Sequence, residues 1–450
     1  MSYTVLVLSP KLVLLNNTDM KIVNSVPISS FGGLNFVLDE FERIGLGRYI
    51  NSELPKLPAQ SKYTWKDIFY SFWSLFFCGG DCAEDLSENF RTSLKTNPFV
   101  KIPSPDRVLN RMKSLAEPMQ LFDTVRGQKL HEFSINNLLT GINLSLIKKL
   151  RLLEHSDITL DYDNTIIFSK KADSKMTYKN DYGYCPGVGL IGGTVVYVEN
   201  RNGNSDAQTL QDETLERMFN ALSEAKIKIN RFRADGASYQ LKTLSVASKF
   251  SNKIYVRARK DQAVMNAIAS IADWEESETK NGIEYYGSVE FIPFKKRARE
   301  HKLQYLLKPY RLVITKTKNS DGQLDLFTGE ACEYNAIITN DYEMSNFEIV
   351  QFYNQRGAAE KEFDVLKNDF GWNNMPFSKL EYNSVYLIIC AMCRNLYGYI
   401  IKLFSKRTTI LSPDFRIKKF IFRFICIPAK WIKSARIQKL RLYGKLTYQT

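Results

Sequence analysis

Between residues 157 and 257 the chain reads as strand, strand, helix, strand, helix, strand, and few folds accept that order. Ile158 to Phe168 is rich in β-branched and apolar residues, and Gly187 to Val198 supplies one or two further strands. Leu210, Leu215, Met218, Phe219 and Leu222 then recur at helical spacing; Ile229 to Ala234 reads as a strand, Ser238 to Phe250 as a helix and Ile254 to Arg257 as a strand. The pattern specifies an α/β fold with a mixed sheet flanked by helices. Residues 258–345 break the rhythm with short strands at Tyr285 to Phe294, Tyr310 to Lys316 and Tyr334 to Thr339, which reads as a β-rich insertion. Before residue 150 the chain is mostly helical, with breaks at Gly32-Gly33, Gly79-Gly80 and Pro103-Ser104-Pro105, while Met1 to Lys11 reads as a strand and lacks the marks of a signal peptide. Gly187-Val188-Gly189-Leu190-Ile191-Gly192 has the glycine spacing of a dinucleotide site. The strand Thr194 to Val198 follows where such a site needs a helix, so a β-turn between strands is the reading.

The formal net charge of +14 favours a polyanionic partner, most simply nucleic acid. The excess is concentrated: from Ser405 to Thr450 there are twelve Lys or Arg against the single acid Asp414. Seven cysteines over 450 residues argue for reduced thiols, and Cys390 and Cys393 lie in an apolar helical run that suits packing rather than zinc. With only His131, His155 and His301, histidine-based hydrolysis has few candidates. The longest apolar stretch, Ser384 to Phe404, carries Arg394 and Asn395 near its middle and reads as a buried core helix. Ser104-Pro105-Asp106 caps a basic helix through Lys113 that suits either phosphate contact or a plain surface.

Acids stand at three telling places. Alternation puts Asp161 and Asp163 on one face of the first strand, where carboxylates are costly unless they face solvent or bind a cation. Asp235 ends a later strand and precedes Gly236-Ala237-Ser238, small enough for a phosphate to come close. Tyr353, Arg356, Glu360 and Lys367 fall within roughly a 60° arc if residues 353–367 form one helix. A carboxylate between two cations suits a divalent metal gripped beside phosphate; a solvated face with i,i+4 pairs is the plain alternative.

Taken together, Asp163-Asn164-Thr165, Asp235-Gly236-Ala237 and the Tyr-x2-Arg-x3-Glu-x6-Lys pattern at Tyr353, Arg356, Glu360 and Lys367 resemble the bacterial insertion-sequence transposases of the DDE class. Arg201-Asn202-Gly203-Asn204 and Ile337-Ile338-Thr339-Asn340 look like further landmarks of that family. The resemblance implies a ribonuclease H-like mixed sheet flanked by helices and interrupted by a β-rich insertion domain. The corresponding division is a mostly helical N-terminal DNA-binding region at 1–150, a catalytic core at 151–257 and 346–404, the insertion at 258–345 and a basic C-terminal region at 405–450. It implies two Mg²⁺ ions, replaceable by Mn²⁺, held by Asp163, Asp235 and Glu360, with Asp161 as the rival first ligand. Tyr353, Arg356 and Lys367 are expected to hold phosphates, and Trp274 to stack a flipped base during hairpin formation unless it simply packs on the insertion. The expected partners are double-stranded DNA bearing terminal inverted repeats, target DNA and a second copy of the chain in the DNA complex, in the bacterial cytoplasm, with no membrane and no small-molecule substrate. Two other readings are a decayed or regulatory DNA-binding protein and a glycosidase with paired carboxylates. The cations around Glu360 speak against the glycosidase, because they lower the pKa that a general acid needs raised.

Overall fold

Five helices of eight or more residues open the described chain: α1 (Leu34–Arg43), α2 (Leu46–Glu53), α3 (Trp65–Phe77), α4 (Pro105–Lys113) and α5 (Asn137–Lys149), with strands β1 (Gln120–Asp123) and β2 (Leu130–Ser134) between the last two. The computed structural model describes residues 28–123, 130–153, 157–279, 282–318 and 331–444. The strand read at Met1 to Lys11 and His155 lie outside them. Helix α3 begins at a reciprocal cap in which Thr64 and Asp67 satisfy each other's backbone N–H groups, and it is buried almost all round. In α4 the proline sits in the first turn as expected, and Val108 and Met112 face inward.

The central sheet follows as β3 (Thr159–Asn164), β4 (Gly187–Ile191), β5 (Thr194–Arg201), β6 (Ile229–Ala234) and β7 (Ser251–Ala258), with helices α6 (Gln211–Glu224) after β5 and α7 (Leu241–Phe250) after β6. Strands β3, β4 and β5 form an antiparallel meander, and β6 and β7 join the free edge of β3 in parallel. The resulting order β5-β4-β3-β6-β7 is the ribonuclease H-like arrangement. Residues 187–191 are themselves strand; the turn is made by Gly192 and Gly193, both at positive φ, so the glycine-rich segment is displaced from its expected turn by one strand.

The β-rich stretch contributes β8 (Glu275–Thr279), β9 (Gly282–Phe291), β10 (Tyr310–Lys318) and β11 (Cys332–Thr339). These four continue the same sheet, because β11 pairs antiparallel with β7. Among the described residues the sheet has eleven strands, with β2 and β1 at its other end. After it come α8 (Asn346–Asn354), α9 (Ala358–Asp369) and α10 (Leu380–Ser405).

Among the described residues the two largest cores lie on opposite faces of the central strands. Leu160, Tyr162, Phe232 and Ala234 pack toward α6 and α7, whereas Val188, Leu190, Val195 and Val198 pack toward the N-terminal helices, α9 and α10. Helix α10 is long and apolar enough to cross a membrane by composition, but 72% of its apolar window is buried in this core. Its polar pair has a structural use: Arg394 bonds Glu362, and Asn395 accepts from the Val195 N–H at 2.9 Å while its amide reaches the Val195 carbonyl at 2.9 Å and Asn143 at 3.1 Å. Cys390 and Cys393 are free and fully buried.

Replacing Asn395 with Leu leaves the buried Val195 N–H without an acceptor. The expected cost is about 1–3 kcal/mol, read as a lower denaturation midpoint; an unchanged midpoint would mean that the amide is not needed to hold α10 to the sheet.

Candidate active site

Parallel pairing of β3 with β6 sets Tyr162 beside Ala234. The next residues, Asp163 and Asp235, therefore emerge from adjacent strand ends, where α/β sheets bind ligands. The apolar partners Leu160, Tyr162, Phe232 and Ala234 point into one core, so pleating sends Asp161, Asp163 and Arg233 to the opposite face. Asp235 uses one oxygen to cap the 3-10 turn Gly236–Ser238, accepting from Ala237 N–H at 3.0 Å.

Residues 353–367 do not form the single helix that their spacing predicts. Helix α8, started by a Ser345–Glu348 capping box, ends at Asn354; a 3-10 turn, Gln355–Gly357, leads into α9. Three residues wound at about 120° rather than about 100° each turn the second helix by roughly 60° relative to the first. The four signature side chains accordingly take separate partners. The Tyr353 hydroxyl, buried, donates to the carbonyl of Ala234 at 3.2 Å. Buried Arg356 donates to Asp163 Oδ2 at 2.7 Å. Lys367 donates from Nζ to the carbonyl of Ile166 at 2.7 Å. Glu360 alone is exposed, in the first turn of α9, and it forms no hydrogen bond among the described residues. Instead of lying free for phosphate, the Tyr, Arg and Lys clamp the helix pair onto both aspartate strands.

Asp161 is already spoken for. Arg233 grips it with two bonds, Nε to Oδ1 at 2.7 Å and the second nitrogen to Oδ2 at 2.8 Å, and sends a third bond to the Phe352 carbonyl at 2.6 Å. Asp163 keeps more of its valence: besides Arg356 it accepts only the N–H of Asn164, at 2.8 Å, among the described residues. Burial pushes the Asp163 carboxyl up to about 6 against the pull of Arg356, and the charges of Asp235 and Glu360 push the same way. Asp163, with the negative charges of Asp235 and Glu360 near it, belongs to a donor set suited to a divalent cation. Their oxygens are nevertheless splayed: among the described residues the cluster whose ligand atoms all lie within 4.8 Å of one another is Asp81, Cys82 and Asp85, and there Asp85 is occupied capping its own turn.

Trp274 is half-buried just ahead of β8, close over the Gly287 backbone, 6.3 Å from the Tyr334 ring and with Lys316 5.3 Å from its own ring centre. It packs on the insertion strands. Two groups escaped the sequence reading. Arg233 was legible by the logic applied to Asp161, since a cation alternating with Phe232 and Ala234 must share the acid's side of the sheet. Arg257 and Arg259, at the end of β7, flank the Asp235 turn; Arg259 donates to the Gly236 carbonyl at 2.7 Å. Arg201 and Asn202, expected as landmarks, are fully buried scaffolding: Arg201 stacks on Phe133 and lies 3.5 Å from Glu199, and Asn202 ties Lys175, Asp173 and Glu132 together.

A family model described as transposase DDE domain, group 1, matches residues 24–450. No curated protein matches the sequence. Among solved structures, the chain is similar to the piggyBac transposase in a cryo-EM structure of its synaptic complex with hairpin DNA, at 14% identity over 87% of this chain and 78% of that one, with a TM-score of 0.41.

The two neighbouring aspartates separate by stability. Asp161→Asn weakens the hold on a buried guanidinium and lowers unfolding free energy by about 3 kcal/mol. Asp163 behaves oppositely in metal-free buffer. Its folded pKa near 6 exceeds that of the unfolded chain, so this group's contribution to stability falls as pH rises from about 4 to 6. Denaturation of wild type and Asp163→Asn in EDTA should therefore show the variant gaining on wild type across that window and holding its gain above it. A constant difference would mean that Asp163 titrates normally.

Proposed function

From a chain that belongs to the DDE transposase family, group 1, and is thus a DNA transposase that cuts and joins strands, we propose that Asp163, Asp235 and Glu360 form the active site. The observation that carries the assignment is the clamp: Tyr353, Arg356 and Lys367 fasten the Glu360 helix to the strand ends that bear the two aspartates. Enzymes of this family use divalent metal ions. The three carboxylates are the residues to hold them here, as two Mg²⁺ with Mn²⁺ able to substitute, while Asp161 remains the partner of Arg233. Bound there, such ions supply the charge that activates the attacking oxygen and stabilises the leaving one.

The chain's own groups do the rest. Arg356 holds Asp163 ionised and Tyr353 fixes the end of β6. Arg356 and Lys367 exchange their internal acceptors for phosphate oxygens when DNA arrives, with Arg257 and Arg259 beside them. Water attacks first at the element end, and the freed 3′ hydroxyl then attacks a target phosphodiester. One site serves both steps because only the incoming oxygen differs. The DNA substrates are terminal inverted repeats and target duplex, and the working unit on DNA is a homodimer in the bacterial cytoplasm. Residues 1–150 and 405–450 contribute DNA binding, 151–257 and 346–404 the catalytic core, and 258–345 the insertion.

A labelled duplex bearing the element ends, incubated with Mg²⁺ or EDTA, tests the assignment. Glu360→Gln and Asp235→Asn should each lower nicking at least about 10³-fold, the scale on which catalytic groups act, with affinity for the duplex near wild type. Equal loss of binding and cleavage would make these residues structural. Binding without cleavage by wild type in any divalent metal would favour a DNA-binding protein that has lost catalysis.

A further inference from the structure

The two ends of the described chain meet. Ser29 and Ala429 exchange backbone hydrogen bonds at 2.8 Å, Gly32 N–H donates to the Ile427 carbonyl at 2.7 Å and Gly33 N–H to that of Ile425 at 3.2 Å. A Cβ on Gly33 would lie 2.0 Å from the Phe424 carbonyl oxygen, so the approach requires glycine there. Trp431 donates to Asn35 at 3.1 Å and packs edge-on against Phe99, with ring centres 5.4 Å apart.

From this fixed foot, Ala429–Ser434 and Ile437–Leu442 run outward as an antiparallel ribbon; beyond the Ser29–Ala429 bridge its strands pair only with each other among the described residues. Lys430, Lys433, Arg436, Lys439 and Arg441 lie on it, no acid does, and none of the five forms an ion pair among the described residues. Two earlier cations of the tail are not equivalent: Arg416 is taken up by Asp364 and Asp369, at 2.6 and 2.8 Å, and Lys418 by Asp369. At the ribbon's tip, Ala435 and Arg436 both adopt left-handed backbone, with φ of 49° and 67°, which residues bearing a side chain avoid. Beside them Ile437 is 58% exposed. A two-stranded ribbon gains little from its own pairing. A strained, cationic, apolar-tipped one points to a use outside the fold.

We propose that this ribbon enters the major groove of the element-end duplex. Lys430, Lys433, Lys439 and Arg441 straddle backbone phosphates, and Arg436 and Ile437 meet base edges at the tip. The dimensions agree: six-residue strands extend about 20 Å, and the roughly 12 Å major groove admits a two-stranded ribbon. Arginine suits the guanine acceptors and an apolar side chain suits the thymine methyl. The proposal rests on the chain acting at specific DNA ends, and it assigns the recognition to a surface separate from the three acids.

The test is binding of the full chain, in EDTA, to an element-end duplex and to a scrambled duplex over a range of salt. Lys433→Ser with Lys439→Ser should reduce the slope of log affinity against log salt by about 2, near 0.9 for each phosphate that the variant no longer neutralises. Arg436→Ser with Ile437→Ser should narrow the preference for the element end by roughly tenfold. Replacing guanines of the end with 7-deazaguanine, which removes a major-groove acceptor, should weaken wild type at the contacted positions and leave the Arg436 variant indifferent there. Unfolding midpoints equal to wild type show that both variants fold. Unchanged slope and preference overturn the proposal, and a reduced slope with unchanged preference and no effect of 7-deazaguanine overturns the groove assignment. Failure of wild type to prefer the element end removes the premise of specific ends instead, whatever the variants do.

Discussion

The guanidinium of Arg233 joins the parts of the molecule that must not move relative to one another. Its two bonds to Asp161 tie β6 to β3, and its third, to the Phe352 carbonyl, ties both to α8. A buried ion pair of this kind contributes little net stability, because desolvation offsets most of the attraction. Its contribution is geometric: a planar fork bonded at once to β3 and α8 permits one arrangement of the sheet and the helix pair. The registry of Asp163 with Asp235 follows from that arrangement.

The signature residues complete it by a route that spacing alone does not suggest. A continuous helix would carry Tyr353, Arg356, Glu360 and Lys367 on one face and aim all four at a single ligand. The 3-10 turn at Gln355–Gly357 redistributes them, sending Tyr353 to the strand before Asp235, Arg356 to Asp163, Lys367 to the loop after Asp163, and leaving Glu360 exposed. Asp163 is thereby buried beside Arg356 with Asp235 and Glu360 near it, and its proton affinity is raised first by burial and then by those two charges, against the pull of the guanidinium. A shift of that sign favours a divalent cation over a proton once the pH exceeds the raised pKa.

Local chemistry made some of this visible in the sequence. Ile229 to Ala234 was readable to the residue, because alternating Phe232 and Ala234 face a core and Asp235 ends the strand. The helix expected from Ser238 starts at Leu241, since Gly236–Ser238 is spent on the 3-10 turn that Asp235 caps. The joining of the insertion to the central sheet was not readable: β7 and β11 are neighbours only in space, and strand pairing between segments so far apart in the chain leaves no periodic mark. The break after Asn354 was hidden for a different reason. No proline marks it, and Gly357, the one residue of low helix propensity there, has open space where a Cβ would stand. The tail shows the limit of composition most plainly, since Arg416 and Lys439 count equally toward the charge although one is consumed in the fold and the other is not.

That distinction bears on how such a chain can act on a polyanion at all. In the proposed site three carboxylates repel a phosphodiester, so the place proposed for cutting bonds cannot also supply the affinity that brings DNA there. Attraction has to come from cations outside the cluster, and the net charge of +14, with the ribbon cations at Ala429–Leu442 that pair with no acid among the described residues, provides it. Under the proposed assignment binding and cleavage rest on different residues and respond to different variables: salt governs the first through counterion release, while pH and divalent metal govern the second through the carboxylates. Arg356 belongs to both, because it neutralises Asp163 in the absence of DNA and stands beside the trio that a phosphate must approach. Its buried Nε, which has no acceptor among the described residues, leaves one donor of that guanidinium still to be satisfied.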